Sequence, residues 1–375
     1  MEKQTEKHRG MFFELDYGKD IKIDLKDKKI ISLLGENCRT TPTTIGKLIN
    51  LSKHSVIYRI NKLKQKDIYR GNFTVLNPFV LGFPAYFVLV KLKSMIPEKE
   101  EKIIKFFENH PFIIWVAQTQ GSYDFNMMIV AKDITHFDKL SKEIQKKFAT
   151  SLKEIKVLHM TRVNSFYVIP LEFQKESGVK IEKKKADSSF SSLLKKIHAH
   201  SKEEKIKPTM KEILILREIA ENANLSLQEI SEKTKIKPDT VKNTIKNLIK
   251  KKVILAFRAK MNVSFLKFHV YIIYFKFSSD VKEKRINEFE QYFKNSIKTA
   301  CMEKASGSPY DYVNYVFAKT PVEFHNLINN IRNKFSDIIE DYDTDLILTD
   351  YKINFFPKGM IGLIKTALIK IGAKF

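Results

Sequence analysis

Two short stretches hold the side chains best suited to recognition chemistry. Ser52, Lys53, His54, Ser55, Tyr58, Arg59 and Lys62 crowd into one, and Lys237, Asp239, Thr240, Lys242, Asn243 and Lys246 into the other. Arg and Asn side chains can each pair two groups on a base edge. Lys, Ser and Thr suit phosphate oxygens. In both stretches apolar residues recur every three or four positions: Val56, Ile60 and Leu63 in the first, Val241, Ile245 and Leu248 in the second. That period predicts two amphipathic helices whose polar faces carry the recognition residues. Nothing comparable suggests catalysis. There is no Ser-His-Asp set, no carboxylate pair and no Gly-rich phosphate loop, and His110, His136, His159, His269 and His325 are scattered. Cys38 and Cys301 lie far apart, which is neither a disulfide framework nor a metal site. No cofactor and no metal are therefore expected.

Shorter helices must position those two faces. Leu25, Ile30, Ile31, Leu33 and Leu34 predict a first helix. A second follows Thr41-Pro42, with Pro at its first helical position and Ile45, Leu48 and Ile49 turned inward. The third runs from about Ser52, a suitable N-cap, to Lys66. Ile68 to Leu76 then reads as a strand pair, a wing. The second stretch repeats the plan. Ile213, Leu214, Leu216 and Ile219 make one helix, Ser226-Leu-Gln-Glu229 is a capping box opening the next, and Pro238 opens the third. Short helix, tight turn, longer basic helix is the helix-turn-helix pattern, which offers its last helix to the major groove. The same pattern also suits a trihelical protein-interaction module with a solvated lysine face.

Charge placement separates the two. The chain has 375 residues and a formal net charge of +24. The total alone fits a lysine-rich proteome as well as an anionic partner. Ile45 to Arg70, however, carries seven basic residues against Asp67, and Lys233 to Lys260 carries ten against Asp239. These segments, a seventh of the chain, supply +15 of the excess. Double-stranded DNA is the partner that placement implies.

The two halves repeat. The segment from Leu51 matches that from Ile236 at an offset of 185, and Gly121-Ser-Tyr123-Asp124 meets Gly307-Ser-Pro-Tyr310-Asp311, after which the offset is 187. Behind each head the period changes. Tyr86 to Leu92 predicts a strand, Lys99 to Asn109 a helix, Ile113 to Thr119 and Tyr123 to Ala131 strands around Gly121, Ile134 to Phe148 a helix, and Ile155 to Ile169 a long last strand; Phe268 to Phe356 repeats this. The expected fold class is α+β: two copies of a winged helix-turn-helix domain followed by a ferredoxin-like βαββαβ (ACT-like) domain. The open faces of the two sheets could cover each other within one chain. The expected divisions are an N-terminal extension at 1–24, heads at 25–80 and 208–262, and regulatory domains at 81–173 and 263–357. A basic linker at 174–207 and an amphipathic basic tail at 358–375 complete them.

The linker holds ten Lys against five acids and reads as a flexible tether with one short helix at Ser192 to His200. In the tail, Met360, Ile361, Leu363, Ile364, Leu368 and Ile371 share a face, and docking on the protein itself is expected. No stretch reaches the roughly 18 apolar residues of a membrane span. Met1 to His8 lacks an apolar signal core, and lone cysteines fit a reducing cytoplasm.

The order of a winged helix followed by βαββαβ, with Gly-x-Tyr-Asp at the second hairpin, resembles the leucine-responsive and asparagine-regulator family (Lrp/AsnC). Asp27-Lys28-Lys29-Ile30, Ser52-x-x-Ser55-Val56-x-x-Arg59-Ile60-x-x-Leu63 and Gly121-Ser-Tyr123-Asp124 carry the resemblance, which covers roughly residues 25–173 and 208–357. Thr244 stands where the pattern has Arg, and Asp67 and Lys252 stand where it has Gly before the wing. The resemblance implies a DNA-binding transcription regulator. It implies dimers and higher homo-oligomers of single-copy chains, hence an intrachain pseudo-dimer here. It also implies an amino-acid-like effector near Gly121, Tyr123, Asp124, Gly307, Tyr310 and Asp311. The other reading of those residues is that Gly makes the turn, Tyr packs and Asp caps. Unequal heads imply an asymmetric operator. Two alternatives stay open. A branch similar to this family decarboxylates sirohaem and needs basic and His residues around an acidic tetrapyrrole. A ligand-sensing or scaffold protein would bind no DNA.

Overall fold

Each head is built from three helices that the sequence starts and stops explicitly. The computed structural model describes Glu14 and residues 21–93, 97–179, 205–306 and 309–370. In the first head α1 spans Leu25–Glu36, α2 Pro42–Ile49 and α3 Lys53–Gln65. Asp24 and Asp27 form a reciprocal capping box at the start of α1, and Ser52 caps α3 by accepting from the Ser55 N–H. Ile30, Ile31, Ile45, Ile49, Val56 and Leu63 bury their side chains as the helical period requires. Leu48 does not: it is 63% exposed on the outer face of α2, because Ile45 and Ile49 already fill the inward side of so short a helix. Gly46 is needed where it stands, since a Cβ there would lie 2.4 Å from the Leu51 carbonyl oxygen in the tight turn.

The remaining elements of the first half are β1 (Tyr69–Leu76), β2 (Ala85–Leu92), α4 (Pro97–Asn109), β3 (Ile113–Gly121), β4 (Phe125–Val130), α5 (Ile134–Lys147), β5 (Leu152–Phe166) and α6 (Leu171–Ser177). The second half repeats them as α7 (Met210–Glu221), α8 (Leu227–Thr234), α9 (Pro238–Lys250) and β6 (Ile254–Met261). It continues with β7 (His269–Phe277), α10 (Glu283–Asn295), β8 (Thr299–Ser306), β9 (Tyr312–Ala318), α11 (Pro321–Phe335), β10 (Ile339–Ile353) and α12 (Lys358–Lys370).

Two expectations about the sheets need correction. The stretch after each head is one strand, not a hairpin wing. β1 pairs antiparallel with β6 of the other half, Phe73 opposite Arg258 and Val75 opposite Ala256. Every residue of β1 from Asn72 to Leu76 is buried, so its backbone groups need a partner strand. The equivalent strand of the second half supplies it. Second, the regulatory halves are not two separate four-stranded sheets. Each keeps the ferredoxin-like order, β3-β4-β2-β5 and β8-β9-β7-β10, but they close into one eight-stranded barrel. The device is strand length. β5 and β10 have 15 residues each, nearly three times the usual length of about five or six. The first part of β5 pairs with β2 and its last part with β8, while β10 divides itself between β7 and β3. The two sheets do cover each other, by sharing long strands, and closure leaves no edge.

Outside the barrel, α4 and α5 bury Ile103, Phe107, Phe137 and Leu140 on one half, and α10 and α11 bury Phe289, Phe293, Ile331 and Phe335 on the other. The expected linker does not begin at Gln174. α6 runs across that boundary, packs on α1, and buries Phe173 and Ser177. The expected Ser192–His200 helix, Gly307 and Ile371 lie outside the described residues. The tail docks as expected: α12 packs on α7 and buries Met360, Ile361, Ile364 and Leu368, each worth about 1.5–3 kcal/mol when fully buried. No described helix is long and apolar enough to cross a membrane.

Candidate nucleic-acid interface and regulatory core

α3 and α9 each turn a buried stripe inward and a polar face out. On α3 Lys53, His54, Tyr58 and Lys62 are exposed, together with the cap residue Ser52, while Ser55 is half-buried and hydrogen-bonded to Ser52 Oγ at 2.9 Å. On α9 Lys237, Asp239, Thr240, Lys242, Asn243 and Lys246 are all exposed. The structure thus gathers both predicted sets on helix faces, with one exception. Arg59 turns back toward its own head. Its guanidinium lies 2.6 Å from Asp24 and 2.8 Å from Asp27, the two residues of the α1 capping box. Burial raises the Asp24 pKa, but the Asp27 N–H and Arg59 outweigh it and hold the carboxyl below its ordinary value. Arg59 therefore clamps α3 to the start of α1. In the second head Thr244 cannot do this, and Lys251 just past α9 reaches the equivalent acid, Glu212, at 3.0 Å.

The residues standing in for the family glycine are held in the left-handed region, Asp67 at φ 58° and Lys252 at φ 57°. The backbone keeps the conformation for which glycine is suited, and these side chains bear its cost.

The two heads are locked to one another. α1 packs on β6 and α7 on β1, so each head covers the other's strand. Arg258 of β6 donates to the carbonyls of Gly35 and Glu36 at 3.1 and 2.6 Å. Arg39 donates to Ala223 O at 2.6 Å, and Thr74 Oγ1 to Ile219 O at 2.5 Å. No local pattern announces this lock, since every bond in it crosses the two halves.

In the barrel, Tyr123 and Tyr310 meet, their hydroxyls 2.6 Å apart, and Tyr310 also donates to Asp343. Tyr274 donates to Asn126 Oδ1 and Asp345 Oδ2 at 2.8 and 2.7 Å, and Asn126 Nδ2 donates to Thr119 Oγ1 at 2.8 Å. Burial pushes the Tyr123, Tyr274 and Tyr310 hydroxyls and the Asp345 carboxyl above their ordinary pKa values. Asp124 accepts from the Leu92 N–H at 2.7 Å, and Asp311 from the Phe277 N–H at 2.8 Å, so both cap the ends of neighbouring strands. Gly121, at φ 150°, sits where a Cβ would come within 2.3 Å of Thr344 O. Turn, packing and capping thus account for the described residues of both Gly-x-Tyr-Asp motifs.

Among the described residues, the histidines form no shared site. His110 and His136 flank Phe112, His159 lies against Tyr86, and His325 bonds Asn329. Burial, with Lys352 nearby, lowers the His110 pKa to about 4. Between the β1–β6 ribbon and the barrel interior lies a cavity of about 140 Å³, apolar except for Asn77, Cys301, Glu303, Tyr167 and Tyr315. Asn77 and Glu303 carry no motif that singles them out in the sequence, although Cys301, Glu303 and Ala305 alternate along one face of β8.

Residues 23–64 match the AsnC-type helix-turn-helix domain, residues 85–158 the Lrp/AsnC ligand binding domain, and residues 211–254 a winged helix-turn-helix DNA-binding domain. The chain is 30% identical over 122 residues to the HTH-type transcriptional regulator Ptr1 of Methanocaldococcus jannaschii, spanning 32% of this chain and 80% of that protein. It is also 30% identical over 113 residues to the HTH-type transcriptional regulator FL11 of Pyrococcus furiosus, covering 30% and 72%. The chain belongs to the Lrp/AsnC family of HTH-type transcriptional regulators. Its fold as a whole is similar to that of the siroheme decarboxylase NirDL, with a TM-score of 0.53 and 13% identity, over 93% of this chain and all of that one.

Proposed function

We propose that the chain is a DNA-binding transcription regulator that arose by tandem duplication and works as a pseudo-dimer within one chain. The observation that carries this is the pair of outward polar faces on α3 and α9, held by heads bound to each other through the β1–β6 ribbon. Ser52, Lys53, His54, Ser55, Tyr58 and Lys62 read or anchor one half-site. Lys237, Asp239, Thr240, Lys242, Asn243 and Lys246 serve the other. Arg59 positions α3 instead of touching a base. Because the two faces differ, the operator is asymmetric double-stranded DNA, with half-sites about one helical turn or a multiple apart. The regulatory halves respond to a small effector, and the protein acts in the cytoplasm, not as an enzyme. We take heads at 25–80 and 208–262 and regulatory halves at 81–173 and 263–357, with α6 belonging to the first half.

The test is DNA binding by the full chain at two salt concentrations, followed by selection of binding sites. Tight, strongly salt-dependent binding to an asymmetric sequence supports the reading. Two identical half-sites would contradict the asymmetry, and no binding at low salt would sink the proposal.

One observation favours a second reading: the fold similarity to a siroheme decarboxylase over nearly the whole chain. Decarboxylation of such a substrate asks for cations around its carboxylates. Among the described residues, the cavity between ribbon and barrel offers one carboxyl group and no Lys, Arg or His in its lining. Tetrapyrrole absorbance that survives purification would revive this reading.

A further inference from the structure

The cavity between the ribbon and the barrel has the features of a built ligand site. Its volume, about 140 Å³, is close to the roughly 150 Å³ of an apolar cavity known to take up benzene. Leu76 and Leu255 of the ribbon form one wall, and Ala85, Trp115 and Met160 line the barrel side. Two lining side chains carry a buried polar atom with no hydrogen-bond partner among the described residues: Glu303 Oε2 and Asn77 Nδ2. Glu303 is only 5% exposed and Asn77 1%. The other Glu303 oxygen lies 3.7 Å from Cys301 Sγ. Native interiors seldom leave such atoms unpaired, because each costs about 1–3 kcal/mol.

The fold does not demand a carboxyl group here. Counting back from Gly121 and Gly307, Glu303 occupies the strand position that Ala117 fills in the first half. Ala117 faces Asn126 across the ladder, and Glu303 faces Val313. In the first pair the Asn126 amide is bonded to Thr119, Tyr274 and Asp345. In the second the polar group has been moved to the other strand and left half-satisfied. That is the signature of a group kept for an occupant.

The same features define the occupant. The site is apolar and the size of one ring. Burial lifts the Glu303 carboxyl to a pKa of about 8, so at neutral pH it is mostly uncharged and favours a neutral head group over a carboxylate or a zwitterion. With Oε1 accepting from the Cys301 thiol, the proton of the neutral carboxyl sits on Oε2, so a ligand hydroxyl oxygen can accept from Glu303 Oε2 or from Asn77 Nδ2. We propose that this cavity is an effector site for a compact, neutral, apolar molecule bearing a single hydroxyl group, oriented by Glu303 and Asn77. A ligand there touches Leu76 and Leu255 of the ribbon that joins the heads and touches the barrel wall as well. Occupancy therefore shifts the heads relative to the barrel. The word effector rests on the regulator reading; binding of the ligand does not.

Trp115 is the only tryptophan of the chain and lines the cavity, so its fluorescence, excited where phenol does not absorb, reports occupancy. The full chain is titrated with phenol and with toluene, which matches phenol in size but lacks the hydroxyl, and calorimetry gives the stoichiometry. One phenol should bind per chain, at least about tenfold more tightly than toluene. Glu303→Gln should keep phenol binding, and Glu303→Leu should reverse the preference. Equal affinities, or no saturable binding of phenol at millimolar concentration, would overturn the site even if neither variant folds. DNA affinity is then measured with and without phenol. A change supports the coupling. Phenol binding with unchanged DNA affinity overturns the effector role, and phenol binding to a chain that binds no DNA sinks the regulator reading while the ligand site stands.

Discussion

The two heads share a backbone and differ in what fastens it. In the first, Arg59 in the middle of α3 is pinned between Asp24 and Asp27. In the second, Thr244 takes the Arg position, and Lys251 beyond the helix end holds Glu212. The same joint, between the start of the first helix and the recognition helix, is made by two cations at different places. A clamp in mid-helix removes a cation from the outward face. A clamp beyond the helix end leaves that face intact, so α9 keeps Lys242, Asn243 and Lys246 exposed around it. The more divergent head is thus the one with the fuller polar face.

That contrast can be broken most sharply on DNA. Replacing Lys242 and Lys246 by Ala should lower the log–log salt slope of binding by about 2 and weaken affinity on the order of a hundredfold at moderate salt. Lys53 and Lys62 replaced in α3 should give a drop of similar kind, and Arg59→Lys a much smaller one. Equal slopes for all variants would show that the faces do not meet phosphate.

The regulatory halves differ in their buried acid, and pH exposes it. The folded state raises the Glu303 pKa from an ordinary 4.5 to about 8. Between those values the folded chain keeps a proton that the unfolded chain releases. Stability therefore falls as pH rises through that window and levels off above it. Glu303→Gln should flatten the slope and gain about 2–4 kcal/mol near pH 9, read from denaturant midpoints against pH. A slope unchanged by the substitution would place the carboxyl in a more polar setting than the structure gives it.

Arg59→Ala should destabilise the first head by about 1–2 kcal/mol, because it strands the nearly buried Asp27. Lys251→Ala, removing a more exposed partner, should cost under about 1 kcal/mol. The Asp24 carboxyl is held below its ordinary 3.8, so its contribution is present above that value and lost as pH falls through the lowered one. Arg59→Ala should therefore weaken the acid sensitivity of the first head. Hydrogen exchange resolved by head would show the difference, and equal losses would erase the contrast. The smallest effect is a gain. Lys252→Gly relieves a left-handed backbone and should stabilise by about 0.5–1 kcal/mol. At Asp67→Gly the loss of the ion pair with Arg70, 2.6 Å away, offsets part of the gain. Thermal melts of the two variants compare them directly.

Much of this architecture was legible in the sequence because it is local. The stripes Val56–Ile60–Leu63 and Val241–Ile245–Leu248, the caps at Ser52 and Ser226, and the alternation along the strands each fix their element from neighbours a few residues away. What crosses the two halves was not legible. Nothing near Ile68 says that β1 seeks β6; and within one head, nothing near Arg59 says that its partners lie some thirty residues back, at Asp24 and Asp27. The length of β5 was visible, as Ile155 to Ile169, but not that its far part belongs to the other half. The repeat matched Tyr123 with Tyr310 as equivalent positions, and only the closed barrel brings their hydroxyls together. Leu48 was misplaced because a short helix has room for fewer inward residues than its period suggests.

The ribbon and the shared strands hold both heads on one polypeptide, and covalent continuity has a consequence for dose. A pair of subunits that must find each other falls apart on dilution, so the amount of active pair rises with the square of a scarce subunit. Here the pair exists as soon as one chain is folded. On the pseudo-dimer reading proposed above, response to synthesis is proportional from the first molecule, and a cell can run such a switch at very low copy number.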